Sequence, residues 1–389
     1  MSTLKTYTCV TLLFYCLGTN APQAAEFCDD AYAISITLPN QARWDMCWEH
    51  RYLNGISLHH IHYTPRNGGR RMILNRAELS QVHVPYDDNG ARYHDITDFG
   101  FGGEYLMALR DEECTDGTLL DYVEKPVICQ QILGRGEALR LADKGMQGNT
   151  LSLFSVSQIG AYNYIPRWQF MDDGSMELAV GATGALQRMG DTNAAPPGWL
   201  IAENTIGISH LHNFFWRLDF DLGGQSNTDY VEELDFIQEN GQLVQKTKRF
   251  TQEAATSVNP ETSRTWQIAS SNMKNKQGKP MGYEIQLNQT NQRDTGPDDE
   301  PFTHYDLYVT KENGCELYAS HNSSANEDPC ADNLAEFANN ESITGQDIIV
   351  WPSLSFYHVP RAEDAPNMDI HWSSLRIIPY NWHNKNPLQ

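Results

Sequence analysis

The run Ile208-Ser209-His210-Leu211-His212-Asn213-Phe214-Phe215-Trp216-Arg217-Leu218-Asp219-Phe220-Asp221 reads as the heart of a long β-strand, spanning Ile206–Leu222 in full. In a strand, residues i and i+2 project from the same face, so the imidazoles of His210 and His212 converge. Paired imidazoles suit Cu or Zn. Asp219 and Asp221 share a face by the same rule. Their odd offset from His212 puts them on the side opposite the histidines, where hard carboxylate oxygens suit Ca²⁺ or simply form an exposed acidic face. His59, His60 and His62 make a further cluster, expected on a solvated strand or loop.

Outward from this run, period-2 alternation is common and helical periodicity scarce. Met176, Leu178 and Val180 fall on one face, and Trp168 and Phe170 alternate with Gln169. Asp172-Asp173-Gly174 lies between these two runs and predicts a hairpin turn. Strand-like runs recur at Ser152–Val156, Tyr283–Leu287, Tyr305–Thr310 and Ile348–Tyr357, with short helices expected at Tyr105–Arg110 and Asn333–Ala338. The pattern predicts an all-β fold, a large antiparallel β-sandwich with few short helices. Residues 188–200 read as a surface loop and residues 270–302 as long hairpins or exposed loops.

The chain has 389 residues, 40% hydrophobic and 11% aromatic, which is enough to build a core and argues against intrinsic disorder. Acidic residues number 50 against 28 basic ones, a net charge of -22. Such a surface repels phosphate, so no nucleic-acid partner is expected, whereas cationic small molecules are drawn to it. Residues 1–25 read as a signal peptide: Lys5, an apolar stretch from Tyr7 to Leu17, then small residues ending at Ala24-Ala25. Residues 26–389 form the expected mature domain, secreted or periplasmic, with no membrane span. Six cysteines follow the leader: Cys28, Cys47, Cys114, Cys129, Cys315 and Cys330. An even count in an exported chain suggests disulfides, near neighbours being the simplest of the many pairings the count allows.

At the histidine strand a resemblance enters. The run His210-Leu-His-Asn-Phe-Phe-Trp-Arg217-Leu-Asp219 resembles the copper-ligand strand of the copper-containing, topaquinone-dependent amine oxidases. Tyr357-His358-Val-Pro-Arg361-Ala-Glu363-Asp364-Ala-Pro366-Asn-Met368 is similar to the segment carrying the family's third copper histidine. Ile378-Pro379 through Asn386-Pro387 looks like the family's closing stretch. Arg264-Thr-Trp266, Asn275–Tyr283 and His304–Thr310 also fit, in the family's order, so the resemblance covers roughly residues 42–388.

The resemblance implies the catalytic supersandwich of that family alone, without its small N-terminal domains. It implies Cu²⁺ on His210, His212 and His358, and topaquinone formed from Tyr162. Asp95 falls where the family keeps its catalytic base, and Tyr86 matches the tyrosine that hydrogen-bonds the cofactor. Asp219, the Phe220 carbonyl, Asp221, Asp347 and the Ile348 carbonyl match a second metal site, for Ca²⁺ or Mn²⁺. Cys114 and Cys129 match a family disulfide. The implied reaction takes a primary amine and O₂ to an aldehyde, ammonia and hydrogen peroxide. The implied assembly is a homodimer with exchanged arms, for which residues 270–302 are the candidate.

The sequence also departs from the family. The quinone motif Thr-x-x-Asn-Tyr-Asp/Glu here reads Gln158-Ile159-Gly160-Ala161-Tyr162-Asn163, which loses the Asn that holds the ring. Ala365 replaces the usual Trp before Pro366, and the segment from Asp95 to Tyr162 is short. Two other readings accompany these departures: a copper-binding family member without quinone turnover, and a tailoring oxidase acting on a peptide or specialised metabolite.

Overall fold

A computed structural model describes residues 27–88, 92–186, 198–288, 300–326 and 330–389. The expected signal peptide lies outside the described residues, as do residues 188–197 of the expected loop and residues 289–299 of the expected arm. Strands dominate, as the alternation predicts. Among the described residues one sheet has nine strands and a second has eleven, and neighbouring strands pair antiparallel in both. Among the described residues no helix is long and apolar enough to cross a membrane.

The first sheet runs through Gly55–Thr64, Arg71–Pro85, His210–Phe220, Ile348–His358 and Leu307–Lys311 as consecutive neighbours. The second runs through Pro280–Leu287, Met368–Tyr380, Met176–Gly184, Tyr162–Met171 and Lys144–Phe154. Their inner faces share one apolar core, in which Trp44, Trp168, Trp216 and Trp266 are wholly buried. Trp168 of one sheet meets Trp216 of the other edge-on, with centroids 5.7 Å apart. Each such ring removes about 150–250 Å² from water, worth roughly 4–6 kcal/mol before ordering costs, so these contacts fix the spacing of the two sheets.

The His210–Phe220 strand keeps strict alternation. Phe214, Trp216, Leu218 and Phe220 enter the main core, while Phe215 packs on the other side with Phe302, Tyr308 and Trp351. Two irregularities in its pairing with Arg71–Pro85 are absorbed by that neighbour, where Ser80 and Asn75 are the extra residues. Such bulges re-aim side chains. Ser80 donates to the Phe215 carbonyl (3.0 Å), and Asn75 donates to Asp219 Oδ2 (2.8 Å).

The hairpin over Asp172-Asp173-Gly174 forms as expected, with Phe170 opposite Met176. Gly174 sits at φ +88°, and a Cβ there would lie 2.8 Å from the Tyr63 ring, so both backbone and space call for glycine. The near-neighbour disulfides Cys28–Cys47, Cys114–Cys129 and Cys315–Cys330 are all present. Separations of 15 to 19 residues give each a loop-closure contribution of about 3 kcal/mol.

Three local expectations need correction. The segment Tyr105–Arg110 is not a helix: Met107 and Leu109 donate to the carbonyls of Val156 and Pro126 (2.8 Å each), so backbone pairing with neighbours overrides local propensity. The expected strand at Ile206–Leu222 breaks at Ile208-Ser209, because Thr205–Gly207 pairs with Trp199–Ala202 in a separate ribbon. The cluster His59, His60 and His62 lies on a paired strand and is not freely solvated; Phe27 stacks on His60 and His62, and burial drives the proton affinity of His62 down to about 4. The expected helix near Asn333 is present as Leu334–Phe337, with the Asn333 side chain capping the Ala335 amide.

Candidate metal centre and substrate cavity

The antiparallel ladder places His210 directly opposite His358, and alternation adds His212 to the same face. One ring nitrogen from each of the three lies within 4.8 Å of the others. All three rings are buried. Burial, followed by mutual repulsion with His358, lowers the proton affinity of His210 to about 3. Burial and then the neighbouring His210, His358 and His371 push His212 well below its usual range. The rings are therefore neutral and offer lone pairs.

The hydrogen bonds select which nitrogen of each ring faces the centre. The Ile208 carbonyl accepts from His210 Nδ1 (2.9 Å), leaving Nε2 inward. Asp364 Oδ2 accepts from His358 Nε2 (3.0 Å), leaving Nδ1 inward, 3.3 Å from His210 Nε2. Asp364 is itself held by the Arg361 amide at 2.9 Å. His212 is completely buried, yet neither of its ring nitrogens has a hydrogen-bond partner. A buried imidazole without partners loses its hydration uncompensated, a cost of about 1–3 kcal/mol that a bound cation removes. Three neutral imidazoles, two of them braced from outside, match the donor set of Cu²⁺.

Tyr162 opens the strand on the facing sheet, and its hydroxyl lies 2.8 Å from His210 Nε2. Its ring stacks against Tyr164 at 5.9 Å and tilts over His212 at 5.2 Å. Tyr86 hydrogen-bonds the Tyr162 hydroxyl, and its own ring stacks on His210 at 4.5 Å. Met368 Sδ lies 3.7 Å from the same hydroxyl. Burial and then the neighbouring Tyr86 raise the Tyr162 phenol well above its usual pKa, so ionising it requires a cation beside it.

A cavity of about 600 Å³ opens onto the Tyr162 ring. The aromatic side chains of Tyr93, Phe99, Tyr105 and Tyr164 line part of it, together with Asp95 and Glu104. Asp95 begins a short helix, Asp95–Phe99, that the sequence reading missed. Burial raises its carboxyl to about 7; a hydrogen bond with Tyr164 opposes the rise and Asp98 adds to it. Tyr86 and Asp95 thus meet Tyr162, which is distant from them in sequence, on one cavity wall.

On the other face of the strand, Asp219, Asp221 and Asp347 bring their carboxylates within 4.8 Å of one another. The Oδ1 atoms of all three are buried without a hydrogen-bond partner. Burial, then mutual repulsion, pushes Asp221 and Asp347 up to about 7, and burial raises Asp219 as well. Phe220 and Ile348 adjoin these residues in the chain, and the Phe220 ring packs in the core.

Sequence reading assigned no role to Asp364, Tyr164 or Met368. Each acts by contact with a residue that was identified, and nothing in spacing alone marks those contacts.

A two-sheet sandwich thus places three buried histidines beside a buried tyrosine, a set of donors that could hold one metal ion. The family described as "Copper amine oxidase, enzyme domain" matches residues 137–389. This chain belongs to the copper amine oxidase family. Primary amine oxidase 2 of Arabidopsis thaliana is 27% identical over 364 residues, covering 82% of this chain and 53% of that protein. The primary amine oxidase of Klebsiella aerogenes is 26% identical over 375 residues, covering 82% and 49%. The chain spans about half the length of the curated relatives it matches. Among solved structures, the copper-containing benzylamine oxidase from Hansenula polymorpha has a similar fold, with a TM-score of 0.78 at 21% identity, covering 91% of this chain and 62% of that one. Tyr86 and Asp95 precede the matched family segment.

Replacing Asp364 with Asn removes the anion that orients His358. Competition with a chelator should show copper affinity reduced about 10- to 100-fold, the usual cost of losing such a brace, with the fold unchanged by circular dichroism.

Proposed function

We propose that the chain is a copper-dependent oxidase that converts a primary amine, O₂ and water to an aldehyde, ammonia and hydrogen peroxide. The observation that carries this reading is the 2.8 Å approach of the Tyr162 hydroxyl to His210 Nε2, beside a cavity that also presents Asp95. Copper held by His210, His212 and His358 would supply the aerobic oxidation of the Tyr162 ring to topaquinone, and the quinone would supply the electrophile that amine oxidation needs.

The protein's own residues bind, orient and move protons. Tyr86 holds the Tyr162 ring oxygen by its hydroxyl, and Tyr164 stacks on the ring. Ala161 has no polar side chain, so ring orientation rests on these two contacts and on His210. Aromatic walls keep water from the reacting carbon and receive the apolar body of the amine. Asp95 takes the proton from the carbon that bears the amine nitrogen. A carboxylate raised to about 7 is basic enough for that transfer and is ionised in a large fraction of molecules near neutrality. Tyr164 donates to Asp95 and keeps it aimed at the cavity.

The second cluster suits a structural Ca²⁺ or Mn²⁺. The carboxylates of Asp219, Asp221 and Asp347, with the carbonyls of Phe220 and Ile348, provide the hard oxygen donors. Added Ca²⁺ should raise the unfolding temperature of the wild type measured by scanning calorimetry, and chelation should lower it. Asp221→Asn should abolish most of that response; an equal response in the variant would remove the assignment.

Protein loaded with copper in air and treated with phenylhydrazine should give a coloured adduct on the Tyr162 peptide, seen by mass spectrometry. Tyr162→Phe should bind copper, give no adduct and lose amine oxidation. Copper uptake without an adduct in the wild type would mark a copper-binding member without turnover, as the loss of the family's Asn at Ala161 allows.

For Asp95 the sign follows from its role: the ionised form is the base, so kcat/KM should rise with pH through about 7 and level off above it. Asp95→Asn should lower kcat about 10²- to 10⁴-fold and remove that limb of the profile. An unchanged profile in the variant would assign the proton transfer to another group.

A further inference from the structure

Directly behind the three-histidine centre, on the opposite face of the same sheet, a second pair of imidazoles meets a carboxylate. The ladder places His94 opposite His83, and His83 opposite Asn213. Asn213 follows His212, so this row faces away from the first centre. His83 and His94 are almost fully buried. Glu300, at a turn before Pro301–Thr303, reaches both rings: His83 Nε2 lies 2.5 Å from Oε2, and His94 Nε2 lies 3.3 Å from Oε1.

Two features separate this cluster from an ordinary ion pair. One ring nitrogen each of His83 and His94 and a carboxylate oxygen of Glu300 lie within 4.8 Å of one another, a spacing that lets all three reach one ion. The other nitrogen of each ring is braced: Ser320 Oγ lies 2.7 Å from His94 Nδ1, and Asn213 Nδ2 lies 3.2 Å from His83 Nδ1. Arg92 Nη1 orients the Glu300 carboxylate from outside at 2.9 Å. Braced imidazoles and an oriented carboxylate are the outer shell that metal ligands require.

We propose that His83, His94 and Glu300 form a second imidazole-containing metal site, separate from the copper centre, for a divalent ion of the Zn²⁺ type. Two histidines and one glutamate are a recurrent zinc donor set, with water completing the tetrahedron. Binding places the proton of neutral His83 on Nδ1. The Asn213 amide then turns its oxygen to accept that proton. Ser355, 2.8 Å from Asn213, suits either orientation because a hydroxyl both donates and accepts. Burial keeps His83 neutral. Burial opposes ionisation of Glu300, yet its contacts with His83 and His94 prevail and hold the carboxylate far below its usual range. The ion fastens the turn at Glu300 to the short strand Arg92–His94, whose next residue is Asp95. The site therefore pins the segment that carries the carboxyl of the cavity, but its existence does not depend on any amine oxidation.

The test uses full-length protein loaded with a single equivalent of copper, which the three-imidazole centre takes in preference, with excess Ca²⁺ present to occupy oxygen-only sites, titrated with Co²⁺. Copper outcompetes Co²⁺ at imidazoles, so the first centre stays filled. The expected result is one equivalent of Co²⁺ with the visible absorption of a low-coordinate, nitrogen-containing site, displaced by Zn²⁺. Glu300→Gln should lose the band and the equivalent while copper content, read by mass spectrometry of the metals, stays constant. His83→Gln should do the same. If the buried His83 variant fails to fold, the half-buried Glu300 variant decides alone. Absence of Co²⁺ uptake by the wild type, or uptake undiminished in Glu300→Gln, would show that the cluster is an ion pair with Arg92 and overturn the proposal.

Discussion

The pairing of His210 with His358 across two antiparallel strands is the constraint on which the rest of this structure rests. Ladder hydrogen bonds fix two backbones about 5 Å apart, and the pleat then directs both imidazoles to one face. His212 joins them by alternation alone. No loop has to be positioned, so the metal centre inherits the rigidity of the sheet. The facing sheet supplies Tyr162, and the Trp168–Trp216 contact deeper in the core sets how far the phenol stands from the histidines. Packing between the sheets thereby controls a distance that matters chemically.

Burial is the second organising force. It removes protons from the imidazoles, retains them on phenols, and lifts the carboxyls of Asp95, Asp221 and Asp347 toward neutrality. The same desolvation leaves the His212 ring neutral, raises the Asp95 carboxyl to about 7 and disfavours three adjacent charges in the aspartate cluster. One physical cause thus prepares three chemistries, and neighbouring groups decide which one each residue follows.

Much of the architecture was legible in the sequence because period 2 is a strong signal. The alternation around Trp168, the turn at Gly174 and the convergence of His210 with His212 follow from local rules. So does the placement of Asp219 and Asp221 on the reverse side, since the bulges fall on the neighbouring strand and leave the alternation intact. The third histidine and the roles of Tyr86, Asp95 and Tyr162 came from resemblance, because nothing local links residues so far apart. Where long-range contact overrides local preference, reading the chain failed. Residues 105–110 are drawn into backbone pairing with Val156 and Pro126, and Phe27 covers His60 and His62. The brace from Asp364 to His358 depends on the turn that begins at Arg361, and the meeting of His83, His94 and Glu300 joins segments more than two hundred residues apart.

The two-sided character of the His210–Phe220 strand has a consequence for how this chain can vary. Because imidazoles occupy one parity and carboxylates the other, exchanging a single side chain disturbs one side at a time. Insertion or deletion of one residue ahead of His210 within the paired register would exchange the two parities together, turning nitrogen donors outward and oxygen donors into the apolar interior. A point change along this strand therefore disturbs one face, whereas a frame slip of one residue would dismantle both faces at once.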